Sequence, residues 1–465
     1  MSVKINVRAF LAPMALCATA LVVYAGAFQG DFQYDDSLTI LENPHLSDWH
    51  TFIGHLDHMV RPVLYATFLV DRSLYGFEPA GYHALNLLLH VGSTILVCEI
   101  LRRAVEEGST IPFWTALIFA IHPITTETVT YISGRASGLM ALFYLFALFL
   151  YVRAWDMPPS RRPLAMLAAL GAWILSIGSK ETAVTLPLIL LLWDVVVRRV
   201  SGASLRNAML AQVPFWIVLV LAGGWAWSHP RYNALAQFSL TIRPFRDNVL
   251  SQLHVIAYSV YLLFTPWNQN FDHDLTGQHL AAQWPLPLEL LFILGLVAAS
   301  IFFARRLALV SFGLAWFFIQ ILPTSLIPRN DILSERNLYV PAIGLLLASV
   351  ASASYAKQWM TRKNQRPALV QLGCAGLATG LALMLSFFTY ERNLLYQDRL
   401  LLWSDAVQKS PNKARPHNNL GYAYALHGDW DRAIDEFRTA ARLDPDFFLA
   451  QQNLRDAYLR HVGRP

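Results

Sequence analysis

Apolar stretches of about 20 residues recur along the first 390 positions of this 465-residue chain, and they restrict its fold more than any other feature. Inside a bilayer only helices and closed barrels satisfy their own backbone polar groups, and runs of this length read as helices. The composition agrees: 55% of the residues are apolar and 14% charged, where a soluble domain carries about 25% charged residues. The expected fold is mostly α, a polytopic α-helical membrane protein of about eleven transmembrane helices. The spans fall at 9–28, 80–101, 111–124, 136–152, 164–178, 182–197, 210–228, 286–304, 307–327, 338–356 and 368–390. Cys17, Cys98 and Cys374 all lie within them, as small buried hydrophobes without a disulfide framework.

Loop charge sets the orientation. With eleven crossings, Lys4 and Arg8, Arg102 and Arg103, Arg161 and Arg162, Arg198 and Arg199, Arg305 and Arg306, and Arg362 and Lys363 share one side. That side is cytoplasmic by the positive-inside rule, and the C-terminus is then outside. The net charge of +5 is spread over these loops and marks no nucleic-acid surface. Residues 248–266 are apolar enough to cross, but a twelfth span would move Arg305 and Arg306 outside. An interfacial or re-entrant helix is expected there, in a long external loop, 228–285. Lys4, Arg8 and Ala25-Gly26-Ala27 also admit a cleavable signal peptide; retention of the first span is the expectation. Either way, the first external loop, 29–79, stays outside.

After Tyr390 the chain turns polar and helix-forming. Leu420-Gly421, Tyr424, Ala433, Phe437, Ala440 and Pro445 fit tetratricopeptide (TPR) spacing. Gly421 and Ala433 let two helices approach, Phe437 fills the gap and Pro445 ends the second helix. Half-repeats flank it, with Trp403, Ala406 and Pro411 before and Leu454 and Tyr458 after. Two domains follow: a transmembrane region, 1–390, and a C-terminal TPR domain, 391–465. One repeat and two halves bury too little alone, so the tail is expected to dock on the membrane domain, on another copy or on a partner.

Polar residues in or beside apolar spans are costly and need a reason. The foremost are Asp35 and Asp36, just beyond the first span, where a carboxylate could act as a base on a lipid-presented substrate. Further clusters are Arg61-Pro62 with Asp71; His83, Asn86 and His90 on one helix face; His122-Pro123, Glu127 and Arg135; Lys180-Glu181; Glu335-Arg336 with Tyr339; and Asp272-His273-Asp274. Each has a bland reading as solvated loop charge or interhelical hydrogen bonding. No cysteine or close carboxylate completes a zinc site with the histidines, and no metal is expected. What favours a site is convergence, because both signs of charge surround one external cavity.

Phe32-Gln33-Tyr34-Asp35-Asp36 with Asn43-Pro44 resembles the first external loop of the transmembrane and TPR-containing protein O-mannosyltransferases and their bacterial relatives. Arg61-Pro62, Tyr82-His83, Asn86, His90, His122-Pro123, Glu127, Arg135, Ser179-Lys180-Glu181, Pro187, Glu335-Arg336, Tyr339-Val340-Pro341 and Trp403 follow in the same order. The tail is shorter than in animal members, like a compact bacterial version. The resemblance implies a GT-C membrane glycosyltransferase in a bacterial inner membrane with a periplasmic TPR. The donor would be a polyprenyl-phosphate monosaccharide, mannose or another hexose, and the acceptor a hydroxyl, that of a protein Ser or Thr in the first place. It implies Asp35 as general base with Asp36 as neighbour or substitute. Arg61, His83, His122, Glu127, Arg135, Lys180, Glu181, Glu335, Arg336 and Tyr339 are the candidates for holding donor phosphate and sugar. In-line attack inverts the anomeric centre. No cofactor is implied; the lipid-linked sugar is a substrate, and membrane lipids and a peptide acceptor are the other partners. The alternatives are a non-catalytic scaffold whose TPR recruits an envelope partner, and a transporter, for which no inverted repeat is visible.

Overall fold

A computed structural model describes residues 7–275, 286–329, 331–364 and 366–462; Lys4 and the 276–285 part of the long loop lie outside these. The described residues form helices and no strands. In chain order they are α1 (Val7–Val23), α2 (Trp49–Gly54), α3 (Pro62–Tyr75), α4 (Pro79–Arg102), α5 (Ile111–Ile121), α6 (Thr126–Val129) and α7 (Arg135–Ala154). There follow α8 (Arg162–Ser179), α9 (Leu186–Leu192), α10 (Gly202–Ser228), α11 (Pro230–Ile242), α12 (Phe245–Phe264), α13 (Leu286–Phe303), α14 (Ala308–Leu326), α15 (Tyr339–Lys363) and α16 (Pro367–Leu395). The tail adds α17 (Arg399–Lys409), α18 (Ala414–Leu426), α19 (Trp430–Leu443) and α20 (Phe448–Val462).

Among the described residues eight helices are long and apolar enough to cross a bilayer: α4, α7 with its preceding turn, α8, α10, α13, α14, α15 and α16. The chain is a multi-pass membrane protein. Leu372, Leu377 and Leu383 on α16, and Val220 and Leu221 on α10, stand bare, as lipid-facing side chains do. The expected spans elsewhere are shorter or broken. Pro123 stops α5 at Ile121, where the His122 side chain accepts from the Ile124 N–H at 3.1 Å. Segment 182–197 divides into a 3-10 turn, α9 and a π-helical turn, Trp193–Val197. The π turn carries buried Asp194, which receives the Tyr151 hydroxyl at 2.5 Å and Gln212 at 2.9 Å.

Two ends of the bundle differ in chemistry. At one end the basic loops touch: Arg199 donates to the Arg305 carbonyl at 3.1 Å, and Arg162 and Arg198 both cover the Trp155 ring. At the other end lie the first loop, Glu181, Ser334 to Asn337 and the tail. Helix α12 begins and ends at this second end. Near its start Asn248 donates to the Ser325 carbonyl at 2.8 Å, and near its finish the Leu263 carbonyl accepts from His122 at 2.9 Å. It lies along the end of the bundle, and α11, not anticipated from the sequence, precedes it.

Helices α14 and α15 meet backbone to backbone. A Cβ on Gly344 would lie 2.3 Å from the Gly313 carbonyl oxygen, so both positions require glycine for this approach. In the tail, Gly421 lets α18 rest on Phe437 of α19, and α20 packs next through Ala457 and Leu454. Helix α16 runs past Tyr390 to Leu395 without a break, so the membrane helix leads straight into the tail.

Candidate active site

The loop after α1 makes a tight turn that points two adjacent carboxylates in opposite directions. Asp36 is fully buried. One of its oxygens accepts from the Gln33 N–H at 2.8 Å; the other accepts from the Ser133 N–H at 2.8 Å and from the Ser133 hydroxyl. Burial pushes its carboxyl up to about 7 against these donors. Tyr34, with φ of +34°, occupies the sparsely populated left-handed region and reverses the chain. The Asp35 N–H donates to the Tyr131 hydroxyl at 2.9 Å, and the Asp35 side chain, 40% exposed, faces a cavity.

That cavity has a volume of about 240 Å³ and contains four cationic side chains in its wall, Arg61, Lys180, Arg329 and Arg336, with Asp35 and Asp331. Arg336 approaches Asp35 at 3.6 Å and Glu127 at 3.6 Å, and its N–H donates to Glu127 at 2.9 Å. Glu127, buried in α6, therefore anchors Arg336 from behind. Arg61 makes a forked pair with Glu181, at 3.0 and 2.9 Å, and Arg329 reaches the same carboxylate at 3.5 Å. Burial acts upward on Glu181, but Arg61 and Arg329 overcome it and hold the carboxyl at about 2. Lys180 is bound by neutral groups, the Ser137 hydroxyl at 2.7 Å and the Asn337 side chain at 2.8 Å. Burial, with Arg329, Arg61 and Arg336 close by, pushes its ammonium well below the usual lysine range. The wall thus carries four basic side chains against the two acids that line it, Asp35 and Asp331, and is suited to a phosphate group.

Other sequence candidates are committed elsewhere. Arg135 is fully enclosed; it pairs with Asp71 at 2.6 Å, donates to Asn86 at 2.8 Å and lies over the Phe68 ring. His83 contacts the Gly30 carbonyl at 3.2 Å. His90 bridges the Tyr339 hydroxyl at 2.7 Å and the Ala120 carbonyl at 3.0 Å, so buried Tyr339 joins α15 to α4. Buried His122 joins α5 to α12. Glu335 accepts from the Asn270 N–H at 2.7 Å and from His273 at 2.8 Å, and pairs with Arg392 at 2.7 Å. It ties the long loop and α16 together. The face of His83, Asn86 and His90 is thereby occupied by structural hydrogen bonds, and among the described residues no three His, Cys, Asp or Glu side chains are grouped so as to hold a metal ion.

Arg329, Asp331, Ser133 and Ser137 belong to the cavity but were not singled out in the sequence. The charged turn Pro328-Arg329, directly after an apolar span, was the available signal for Arg329. A larger cavity of about 640 Å³ lies between α12 and α13, lined by Tyr258, Tyr261, Phe264 and Phe292, away from Asp35.

The chain is 25% identical over 499 residues to human protein O-mannosyl-transferase TMTC1, covering 94% of this chain and 56% of that protein. Human protein O-mannosyl-transferase TMTC4 is 25% identical over 501 residues, covering 91% of this chain and 65% of the relative. A Caenorhabditis elegans protein O-mannosyl-transferase is 23% identical over 454 residues, 93% of this chain and 63% of its own length. The relatives along most of the chain are named protein O-mannosyl-transferases. The chain spans about one half to two thirds of the length of these curated relatives. A tetratricopeptide repeat model matches residues 414–447, which are α18 and α19 with their flanking turns. No solved structure matches the chain.

Proposed function

We propose that this protein is a membrane glycosyltransferase that moves a hexose, mannose in the first instance, from a polyprenyl-phosphate donor to a hydroxyl of a protein acceptor. The observation that carries the reading is the Asp35 carboxylate, 40% exposed and facing Arg61, Lys180, Arg329 and Arg336 across one small cavity. The names of the relatives support the same chemistry. The lipid chain lies in the bilayer and its phosphate among the cations. The acceptor oxygen attacks the anomeric carbon while Asp35 takes its proton. The bond from that carbon to the phosphate oxygen breaks, and the polyprenyl phosphate leaves with the negative charge. Arg336 and Lys180 stabilise that charge as it develops. Attack opposite the leaving phosphate inverts the anomeric centre. These steps draw on the four cations and invoke no cofactor.

The site faces the external side of a bacterial inner membrane, with the N-terminus and basic loops in the cytoplasm. The TPR tail is periplasmic and close to where an acceptor peptide arrives.

The test is turnover by purified protein in lipid nanodiscs with polyprenyl-phosphate mannose and a Ser/Thr peptide. Asp35→Asn is expected to lower kcat by about 100-fold or more, the range of a general base. Wild-type turnover in Asp35→Asn would remove the base, and no wild-type transfer from any polyprenyl-phosphate hexose would remove the reading.

A further inference from the structure

The C-terminal segment does more than project from the membrane domain; it forms part of the support of the cavity. Trp403 of α17 packs edge-on against Tyr34, at 5.5 Å between centroids, and against Phe271, at 5.2 Å. Phe271 in turn packs on Tyr131 at 5.4 Å, and Tyr131 is the hydroxyl that holds the Asp35 N–H. Arg399 donates twice to the Phe32 carbonyl, at 3.1 and 2.8 Å. The left-handed residue that aims Asp35 is therefore backed by the tail.

A second chain of contacts reaches the opposite wall. Arg415, at the start of α18, pairs at 2.5 Å with both Asp272 and Asp331, and Asp331 lines the cavity. Lys413 joins Asp272 at 2.5 Å, and the buried Ser410 hydroxyl donates to the Asp272 carbonyl at 2.7 Å. Ser410 and Lys413 precede the TPR hairpin, and Arg415 stands in the first turn of its first helix.

We infer that Trp403 and Arg415 are positioning residues for the cavity, Trp403 setting the Tyr34 turn that aims Asp35 and Arg415 setting the Asp331 wall. The role rests on the glycosyl-transfer reading above for its effect on turnover, but not for its effect on local order. A left-handed tyrosine is unfavourable by itself and persists only where its surroundings over-determine it. Trp403 is the large aromatic side chain that the tail packs on Tyr34, and the Arg415 guanidinium also lies over that ring, 5.8 Å from its centroid. The tail then serves turnover through a fixed contact, whatever its repeat binds.

The experiment uses the full chain in nanodiscs with Trp403→Ala, Trp403→Phe, Arg415→Ala and Arg415→Lys. Arg432→Ala, at an exposed TPR site where Arg432 pairs with Asp429, is the control. Hydrogen exchange is expected to quicken over residues 31–41 in Trp403→Ala and over 331–337 in Arg415→Ala, with α4 and α7 unchanged. Turnover should fall by about 10- to 100-fold, the cost of a small misplacement, while binding of polyprenyl phosphate stays as in wild type. Trp403→Phe and Arg415→Lys should recover most of the turnover. Unchanged exchange in both alanine variants overturns the inference, as does a loss of turnover matched by an equal loss of donor affinity. Should wild type transfer no sugar, the glycosyltransferase reading fails and the exchange data alone decide the positioning role.

Discussion

Asp35 and Asp36 are neighbours in sequence and do opposite work. Three donors converge on Asp36, so Asp36→Ala leaves buried N–H and hydroxyl groups without a partner. A loss of about 1 to 3 kcal/mol in stability is expected, seen as a lower midpoint of thermal unfolding. Asp35→Asn should leave that midpoint unchanged and remove turnover. Asp36 also carries a pH dependence. Its folded-state carboxyl titrates near 7 against an ordinary 3.8, so between these values the folded chain binds more protons than the unfolded one. Stability from this group therefore falls as pH rises from about 4 to 7, and the slope should vanish in Asp36→Ala. Lys180 makes a different prediction. Its ammonium is held well below the usual range by burial and three guanidiniums, so an arriving phosphate anion favours its protonation. Calorimetric titration with polyprenyl phosphate in buffers of different ionisation enthalpy should show proton uptake, absent in Lys180→Met.

At the scale of the element, helix length and apolar run diverge for physical reasons. Pro123 ends α5, and the sixth apolar segment ends in a π turn that carries buried Asp194. The proline is a local stop, whereas Asp194 is held there by Tyr151 and Gln212, which are distant in sequence. The contact of α14 with α15 is the sharper test. A methyl at Gly344 would meet the Gly313 carbonyl oxygen at 2.3 Å and the Trp316 ring at 2.7 Å. Gly344→Ala must push the helices apart, a cost of about 1 to 3 kcal/mol for overpacking, visible as a lower midpoint of unfolding. Gly223→Ala, in open space on lipid-facing α10, should have no such effect.

Across the whole molecule, the clustering of basic loops at one end and of the cavity and tail at the other predicts a topology. In chains freed of the three native cysteines, Arg305→Cys should be shielded from an impermeant maleimide applied outside, and Arg432→Cys should react. Labelling of both from one side would contradict the two-ended arrangement. The same arrangement explains how a helix as apolar as α12 stays out of the parity. Its two ends bond to Ser325 and His122 at the same end of the bundle, so Arg305 remains beside Arg199.

Hydropathy, loop charge and repeat spacing are properties of short windows, and they are legible without coordinates. From them come the helical membrane fold, the side on which basic loops gather, the TPR hairpin with Gly421 against Phe437, and the Asp35-Asp36 pair as the place to look. Which of those two carboxylates faces the cavity was not legible, because both are acidic, adjacent and in a loop. Ser133, 97 positions on, takes Asp36 inward and so leaves Asp35 in water. Arg135, His83, His122 and Tyr339 read as equal candidates with Lys180 and Arg336 until their burial partners were visible. The support of the site by the tail depends on contacts such as Gln33 with the Tyr396 carbonyl, 363 positions apart. A bilayer dictates helices one window at a time; it does not dictate which polar side chains are spent holding them together and which remain free to meet a substrate.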